Sequence, residues 1–485
     1  MAISSTGIGS GLDVPNIISQ LVALEKIPLT KLETQATAIQ TKLTTMGTIK
    51  SQVSALSDAA FKLTLDSSWN TSNVTSSNSS AVSGTVTGSA AATSFSVSVS
   101  QLAKAQTASS AVIGAGAAVG TGTLTIDLGT WDYGTVSTPL VPPVFGTPTK
   151  TVTVTVGAGE DALANIAQAI NDAGAGVTAD IVTDTTGQRL VIRSNATGEA
   201  SGFRIKVTGD SDTDDVNNTG LSRLAFDLGT TPAYGMAVNS YTKAQNALAT
   251  VNSIAISSAS NTLTGAVSGL SLQLSTVTTS DLTIQITVDQ AAIKKNIDDF
   301  VAAYNALNTT LSESTKYDSA TKTAGIFQGD STAIGLKNAL VALLGSTSSG
   351  ATFSRLSDVG LELQAGGALK VNNSKLTTAF SDLDNLKKLF KSDNGNVLTN
   401  GFALKMKEFS RGLLATDGMV STKTDSLDVA VARNTKEQDK VNARITVVTA
   451  RLKKTYSTLD ARMANLTALN TYITQQVAQW NKVSR

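Results

Sequence analysis

Four closely spaced aspartates could bind a cation through their carboxylates. They are Asp210, Asp212, Asp214 and Asp215. A calcium-binding loop of the EF-hand type that begins at Asp210 needs glycine at position 215 and glutamate at position 221, and this chain has Asp215 and Leu221 there. The spacing therefore predicts a solvated acidic turn and no metal site.

A group of glycines could cradle a phosphate. Gly114, Gly116 and Gly120 have the density of a dinucleotide-binding loop, but their spacing has one residue too many. A strand pattern that includes Leu124 follows at the place where such a loop needs a helix. We therefore predict no nucleotide cofactor.

The composition removes most other catalytic and metal-binding chemistry. The chain contains no Cys and no His, which excludes disulfides, Cys/His zinc sites, thiolate nucleophiles and Ser-His-Asp triads. A pair of carboxylates could still hydrolyse a glycosidic bond, but the spacing singles out no such pair. We predict no catalytic, cofactor-binding or metal-binding residue, and no enzyme activity.

Charge and hydropathy exclude two classes of partner. The 38 basic and 37 acidic residues leave a net charge of +1, which provides no basic surface for nucleic acid or anionic lipid. No run of about 20 apolar residues is present for membrane insertion. Met1–Gly11 has neither a basic start nor an apolar core, so we predict no cleavable signal peptide. The protein is then either cytosolic or exported by another route.

The C-terminal end is predicted to form one long helix, because Met419–Arg485 contains neither proline nor glycine. Its apolar residues recur with a mean spacing of about 3.5, which is the coiled-coil period. They are Val441, Ile445, Val448, Leu452, Tyr456, Leu459, Met463, Leu466, Leu469, Ile473, Val477 and Trp480.

The N-terminal end shows the same period. Asp13 is a candidate N-cap, Pro15 is tolerated in the first turn, and Pro28 is expected to interrupt the helix. A second helix is predicted to follow, with its apolar residues again about 3.5 apart. They are Leu29, Leu32, Ala36, Ile39, Leu43, Met46, Ile49, Val53, Leu56, Ala60 and Leu63.

Each end needs a helical partner, and the simplest partner is the other end, so we predict an antiparallel coiled-coil stalk. Ile17, Leu21 and Leu24 would line its inner face, and Val14, Ile18 and Val22 form a second row that is predicted to meet another protein. The far tip of the stalk would bring Leu21 and Leu24 beside Leu466 and Ile473. The candidate partner-binding residues are Ile17, Ile18, Leu21, Val22, Leu24, Leu466 and Ile473.

The segment between the stalk helices is predicted to be rich in strands. Apolar residues alternate with polar ones at Phe95–Val99, Leu124–Leu128, Val152–Val156, Leu270–Leu274 and Leu282–Val288, which indicates half-buried antiparallel strands. A helix is predicted at Asp161–Asn171. The helical period returns after Gln290, at Ile293–Leu311, Ile334–Leu344, Leu376–Phe390 and Phe402–Leu414.

The predicted fold class is an α+β multidomain protein with a terminal helical stalk, a largely helical middle domain and nested antiparallel β-rich head domains. We expect four domains. They are a stalk of residues 1–45 and 440–485, a leg domain of 46–75 and 285–439, an inner head domain of 76–115 and 236–284, and an outer head domain of 116–235.

The N-terminal motif resembles a known family. Gly11-Leu-Asp13, a short amphipathic helix and Glu25-x-x-Pro28-Leu29 closely resemble the start of bacterial flagellar filament-capping proteins, the hook-associated cap family. Thr151–Val207 is similar to the insert module in the outer domains of flagellins and caps. Further similar segments are Met46–Ser51, Ser98–Gln106, Asn261–Leu270, Phe300–Asn305, Asp358–Leu361, Gly367–Lys370 and Leu459–Met463.

The resemblance implies a structural cap at the distal filament tip, secreted through the flagellar channel without a cleavable signal peptide. It implies a ring of about four to six identical subunits that assists the folding and insertion of flagellin and limits its escape. Hook-filament junction proteins and an export chaperone are the other implied partners. Two rivals stay open: a hook-filament junction protein or flagellin-like subunit, and a secreted β-rich adhesin.

Overall fold

The chain divides into two compact units. The computed structural model describes residues 13–134 and 142–483, so Gly11 and Leu12 of the N-terminal motif lie outside the described residues. The first unit, called here the helical unit, contains Met1–Trp69 and Gln290–Arg485, and the second, the β unit, contains Asn70–Asp289.

Eight α-helices are present among the described residues. They are α1 Val14–Thr64, α2 Leu163–Asp172, α3 Gln290–Thr315, α4 Ser331–Leu344, α5 Asn373–Ala379, α6 Leu383–Lys391, α7 Phe402–Leu414 and α8 Met419–Val483.

Most strands belong to the β unit. They are β1 Ser72–Ser76, β2 Val82–Val86, β3 Thr93–Gln101, β4 Thr107–Ser109, β5 Gly122–Gly129, β6 Trp131–Asp132, β7 Val144–Phe145, β8 Lys150–Val156, β9 Val177–Asp184, β10 Gly187–Ser194, β11 Gly202–Thr208, β12 Tyr241–Thr242, β13 Ala247–Val251, β14 Ile254–Ser258, β15 Thr262–Val267, β16 Leu270–Leu274 and β17 Leu282–Val288. The helical unit contains two short hairpins, formed by β18 Tyr317–Asp318 with β19 Thr323–Ala324 and by β20 Leu361–Leu363 with β21 Leu369–Val371.

α1 is one continuous helix, so the predicted interruption at Pro28 is wrong. Asp13 caps its start by accepting a hydrogen bond from the Asn16 N–H at 3.1 Å, and Pro15 lies in the first turn as predicted. Pro28 removes a single hydrogen bond to the Leu24 carbonyl. Leu24 and Ile27 are exposed, so water can satisfy that carbonyl and the helix continues.

α8 begins at Met419, directly after Gly418, as predicted, and extends for 65 residues. α1 and α8 lie side by side in opposite directions. Arg444 of α8 forms an ion pair with Glu25 of α1 at 3.0 Å, and the Asn434 amide donates to the Leu32 carbonyl at 3.1 Å. α1 therefore leads towards the core of the helical unit, and α8 leads away from it.

The main core of the helical unit surrounds the C-terminal half of α1. One continuous apolar cluster begins at Met46, includes the inward faces of α3, α4, α6 and α7, and ends at Leu427 in α8. The predicted Leu376–Phe390 helix is instead two helices, α5 and α6, because the Asp382 carboxylate accepts the Asn385 N–H and starts a new helix there.

The β unit contains two separate apolar cores. A five-stranded sheet of order β1-β17-β3-β13-β14 and a three-stranded sheet of order β15-β16-β2 share the first. Sheets of order β12-β4-β10-β9 and β11-β5-β8 share the second with α2. All described strand pairs are antiparallel, as predicted, and α2 begins at Leu163, two residues after the predicted start.

The entry and exit of the β unit are adjacent. The Asp289 N–H donates to the Thr71 carbonyl at 2.8 Å, and the Thr71 hydroxyl donates to the Asp289 carbonyl at 3.3 Å. The next residues begin the β1–β17 pair, with Ser72 opposite Val288. The β unit is therefore one continuous insertion in the chain, and the residues at its two ends lie next to each other in space.

Candidate interaction surfaces

The free end of the α1–α8 pair contains a groove between the two helices, called here the stalk groove. Its α1 wall consists of Val14, Pro15, Ile18, Ser19 and Val22, and its α8 wall consists of Thr449, Lys453 and Ser457. The groove has a volume of about 630 Å³. Apolar side chains form one wall, and mainly small or polar side chains form the other.

The structure corrects which apolar row of α1 faces α8. Because the helix continues through Pro28, the apolar positions that begin at Leu29 extend backwards at the same period to Val22 and Ile18, which line the stalk groove. These two residues therefore face α8 and do not form the predicted outward row. The reason is geometric, since residues four apart lie on one helix face.

The outward face of α1 carries a different pair of apolar residues. Leu24 is 63% exposed and Ile27, which the sequence reasoning missed, is 51% exposed. Ile17 and Leu21 are half-buried at the edge of this face. The signal for Ile27 was present in the sequence: Ile27 follows Leu24 by three residues, once Pro28 is allowed inside the helix.

The C-terminal part of α8 extends past the start of α1. Leu466 and Ile473 follow Ser457, the last residue of the stalk groove, by about 13 and 24 Å along the helix axis. They therefore do not lie beside Leu21 and Leu24 of the same chain, contrary to the prediction. Both are exposed, Leu466 at 59% and Ile473 at 51%.

We predict that replacing Ile18 and Val22 together with Asp will open the free end of the α1–α8 pair. The change places two carboxylates in a partly buried apolar wall, which costs about 2 kcal/mol or more. Trypsin should then cleave faster after Lys26 and Lys31, which lie in the same part of α1. Cleavage at the wild-type rate would contradict the assignment of these side chains to the inner face.

Two groups of polar contacts stabilise the helical unit. The Asp66 carboxylate pairs with the ammonium groups of Lys387 and Lys391, each at 2.7 Å, and these hydrogen bonds lower the pKa of Asp66 to about 2. In α7, the buried Lys405 donates to the Ser346 hydroxyl at 3.0 Å and the Thr347 carbonyl at 2.7 Å, and burial lowers its pKa. These contacts stabilise the fold of the helical unit.

A second set of polar contacts explains a segment that the sequence analysis matched without a role. The Tyr304 hydroxyl donates to the Gly367 carbonyl at 2.6 Å. The Asn305 amide donates to the Leu369 carbonyl and accepts from the Leu369 N–H, both at 2.8 Å. Adjacent side chains of α3 thereby hold the β20–β21 hairpin against the core.

The acidic turn is more ordered than predicted. Asp210 is only 4% exposed, and its carboxylate accepts the Ser222 N–H at 2.6 Å, while its own N–H donates to Asp215 at 2.8 Å. The Thr219 hydroxyl donates to Asp212 at 2.6 Å and lowers the pKa of that carboxyl. The solvated turn is therefore wrong for Asp210, since this carboxylate closes the loop through backbone donors.

Within residues 13–134 and 142–483, no three Asp or Glu side chains are grouped so that they could hold a metal ion.

In the same ranges, no helix combines the length and the hydrophobicity needed to cross a lipid bilayer.

Known families match most of the chain. Residues 10–106 match the family Flagellar hook-associated protein 2 N-terminus, and residues 244–468 match the family Flagellar hook-associated protein 2 C-terminus. Residues 144–196 match the family Flagellin hook IN motif, which overlaps the predicted insert module.

Individual relatives extend this similarity over the full length. Flagellar hook-associated protein 2 of Escherichia coli is 31% identical over 98% of this chain and 98% of its own. The B-type flagellar hook-associated protein 2 of Pseudomonas aeruginosa is 29% identical over 99% of this chain and 98% of its own. The crystal structure of the D1-D2-D3 domains of the flagellar cap protein FliD from Escherichia coli superimposes with a TM-score of 0.59 at 29% identity, covering 79% of this chain and 99% of that domain fragment. With 31% identity over nearly its whole length, the chain belongs to the flagellar hook-associated protein 2 family.

Proposed function

We propose that this protein caps the distal end of the bacterial flagellar filament, where it assists the folding and insertion of arriving flagellin and limits its escape. The observation that carries the proposal is the similarity to flagellar hook-associated protein 2 over 98% of both chains. The fold supports it, because the relative of similar structure is a flagellar cap protein. No observation favours the junction protein, the flagellin-like subunit or the adhesin.

The cap is proposed to be a ring of about four to six identical subunits, because closed rings avoid open-ended growth. Its other partners would be flagellin, the hook-filament junction proteins and an export chaperone. The protein would be secreted through the flagellum without a cleavable signal peptide. We propose a structural role with no enzyme activity and no nucleic-acid or lipid partner.

The four-domain division is kept as a proposal. The coiled-coil stalk of residues 1–45 and 440–485 would contain the parts of α1 and α8 that lie outside the apolar cluster, which begins at Met46 and ends at Leu427. The inner and outer head domains would each be built on one of the two cores of the β unit. A stalk without a large core of its own could engage and release its neighbours through weak, repeated contacts.

The proposal is tested by expressing this chain in a strain whose own filament-cap gene is deleted. Long filaments and little flagellin in the culture medium are expected. Antibody against this chain should stain only the filament tips. Staining at the filament base would identify a junction protein, staining along the filament a flagellin, and staining of the cell wall an adhesin.

We predict that replacing Leu24 and Ile27 together with Asp will impair capping without opening the stalk. Both side chains are exposed, and surface substitutions usually change the free energy of unfolding by less than about 0.5 kcal/mol. An outward apolar face suits helix-in-groove contacts with flagellin, so cells should make short filaments and shed unpolymerised flagellin.

The matched control is the Ile18 and Val22 double variant, which adds the same two charges to the inner face of the same helix. Trypsin cleavage after Lys31, where the residues beside the bond are unchanged, should stay slow for the Leu24 and Ile27 variant. Filaments of normal length from that variant would contradict a partner role for this face.

A further inference from the structure

The last part of α8 carries an exposed apolar row. The row, called here the tail row, is Leu459, Met463, Leu466, Ile473 and Val477, with exposed fractions between 37% and 59%. Every residue from 465 to 480 is exposed. Most of the stability of a helix in a protein comes from the packing of its apolar face, so the row is suited to a partner.

All of the tail row except Leu459 lies in a segment without charge. Residues 463–480 contain no Asp, Glu, Lys or Arg, whereas Lys423–Lys454 of the same helix contains many. Depletion of charged residues is typical of the core of a protein interface. The α1 wall of the stalk groove has the same property, since residues 14–24 are also uncharged.

The groove and the row therefore match in chemistry. Among the described residues that line the stalk groove, only Lys453 is charged, and the tail row would bring no charge against it. An apolar helix can fill the groove without burying an unpaired ion, which would be costly.

The tail of a given chain cannot fill its own groove. The α8 wall of the groove ends at Ser457, and α8 continues from there as an unbroken helix to Val483. The tail row is therefore carried away from the groove by about 24 Å at Ile473. To return, the tail would have to break α8, which contains no proline or glycine.

We propose that the tail row of one subunit docks in the stalk groove of a second copy of this chain. Each subunit offers one row and one groove, so the contact joins different surfaces and can close a ring when the rotation between copies allows it. The inference stands on contacts of the stalk alone and does not depend on the capping proposal.

The absence of cysteine in the chain permits a direct test by disulfide cross-linking of the purified full-length protein. One preparation carries Ile18→Cys in the groove, and the other carries Ile473→Cys in the tail row. After mixing and mild oxidation, the mixed disulfide should form roughly tenfold faster than with the control Gln475→Cys, because docking raises the effective concentration. Gln475 is exposed and lies about 200° around the helix from Ile473.

A single chain that carries both Ile18→Cys and Ile473→Cys gives the second measurement. A disulfide needs Cα atoms within about 7 Å, so the two thiols of one chain cannot meet. A ladder of covalent oligomers that ends at one size supports a closed ring, and a doubly linked dimer supports a reciprocal pair; both place the tail in a second copy. Adding Leu466→Asp should abolish either product.

Three results would overturn the proposal. Equal rates for Ile473→Cys and Gln475→Cys would show that the row has no defined place in a second copy. Disulfides mainly between two Ile473→Cys chains would show that the tails pair with each other. Protection of the Ile18→Cys thiol from maleimide by purified flagellin, and not by a higher concentration of the chain, would assign the groove to flagellin.

Discussion

A chain reduced to residues 46–439 is expected to fold cooperatively and to lose filament capping completely. The apolar cluster of the helical unit begins at Met46 and ends at Leu427, and the β unit has two cores of its own. The removed segments contribute no large buried cluster, so the remainder has what an independent fold needs. Capping would fail because the proposed flagellin-facing row at Leu24 and the tail row are both deleted.

Circular dichroism and calorimetry of the truncated chain check the folding, and filament length in the cap-deletion strain checks the function. A chain that lacks only residues 458–485 is the matched control, because it keeps the stalk groove and the outer face of α1. A truncated chain without a cooperative transition would show that the stalk belongs to the core. Normal filaments would show that capping resides elsewhere.

Replacing Trp69 with Ala is expected to lower the free energy of unfolding of the helical unit by about 3–5 kcal/mol. Trp69 is almost completely buried, its ring centroid lies 5.5 Å from that of Phe390, and its indole N–H donates to the Leu63 carbonyl at 2.8 Å. The substitution leaves a cavity where α1 ends and an unpaired carbonyl beside it.

Trp131→Ala provides the matched control in the other unit. Trp131 packs edge-on against Phe145 at 4.8 Å, and its indole N–H donates to the Phe203 carbonyl at 2.9 Å. Proteolysis at increasing temperature should expose fragments of residues 290–485 first in Trp69→Ala, and fragments of residues 70–289 first in Trp131→Ala. If both variants released the same fragments at the same temperature, the two units would not unfold separately.

Five of the strands and most helices could be predicted from the sequence because their signals are local. Alternation at Phe95–Val99 and Leu282–Val288 fixes which side chains enter the sheet, and β3 and β17 do pair there. Phe402–Leu414 has a helical period and forms α7 with those bounds. Such patterns depend on neighbours in the chain and require no knowledge of the partner element.

Pro28 shows why the inner face of the stalk was assigned wrongly. Treating proline as a break allowed the apolar periods before and after it to be read independently, which placed Ile17 and Leu21 inside and Ile18 outside. In an exposed helix, water can bind the carbonyl that the proline leaves without a hydrogen bond. The helix then continues, and the apolar residues of the whole of α1 follow one regular spacing. This single spacing decides which residues of α1 face α8 and which face outwards.

The shift of one stalk helix along the other could not be predicted from the spacing of their apolar residues. Apolar spacing gives the face of a helix but says nothing about how far one helix is shifted along the other. In the structure, polar contacts between the two helices, at Glu25 with Arg444 and at Asn434 with Leu32, mark that shift. Leu466 and Ile473 consequently lie beyond the start of α1 and are exposed. The prediction from the sequence places them against α1 of the same chain.

The hydrogen bonds between Thr71 and Asp289 make the β unit exchangeable. Because the residues at its two ends are neighbours in space, an insertion of any length can replace what would otherwise be one short hairpin-like connection. The helices before and after the insertion then need no change of position. The β unit can therefore be enlarged, shortened or replaced without a change in α1 and α3, the helices on either side of it in the sequence. An engineered chain could likewise carry a foreign domain between Trp69 and Gln290.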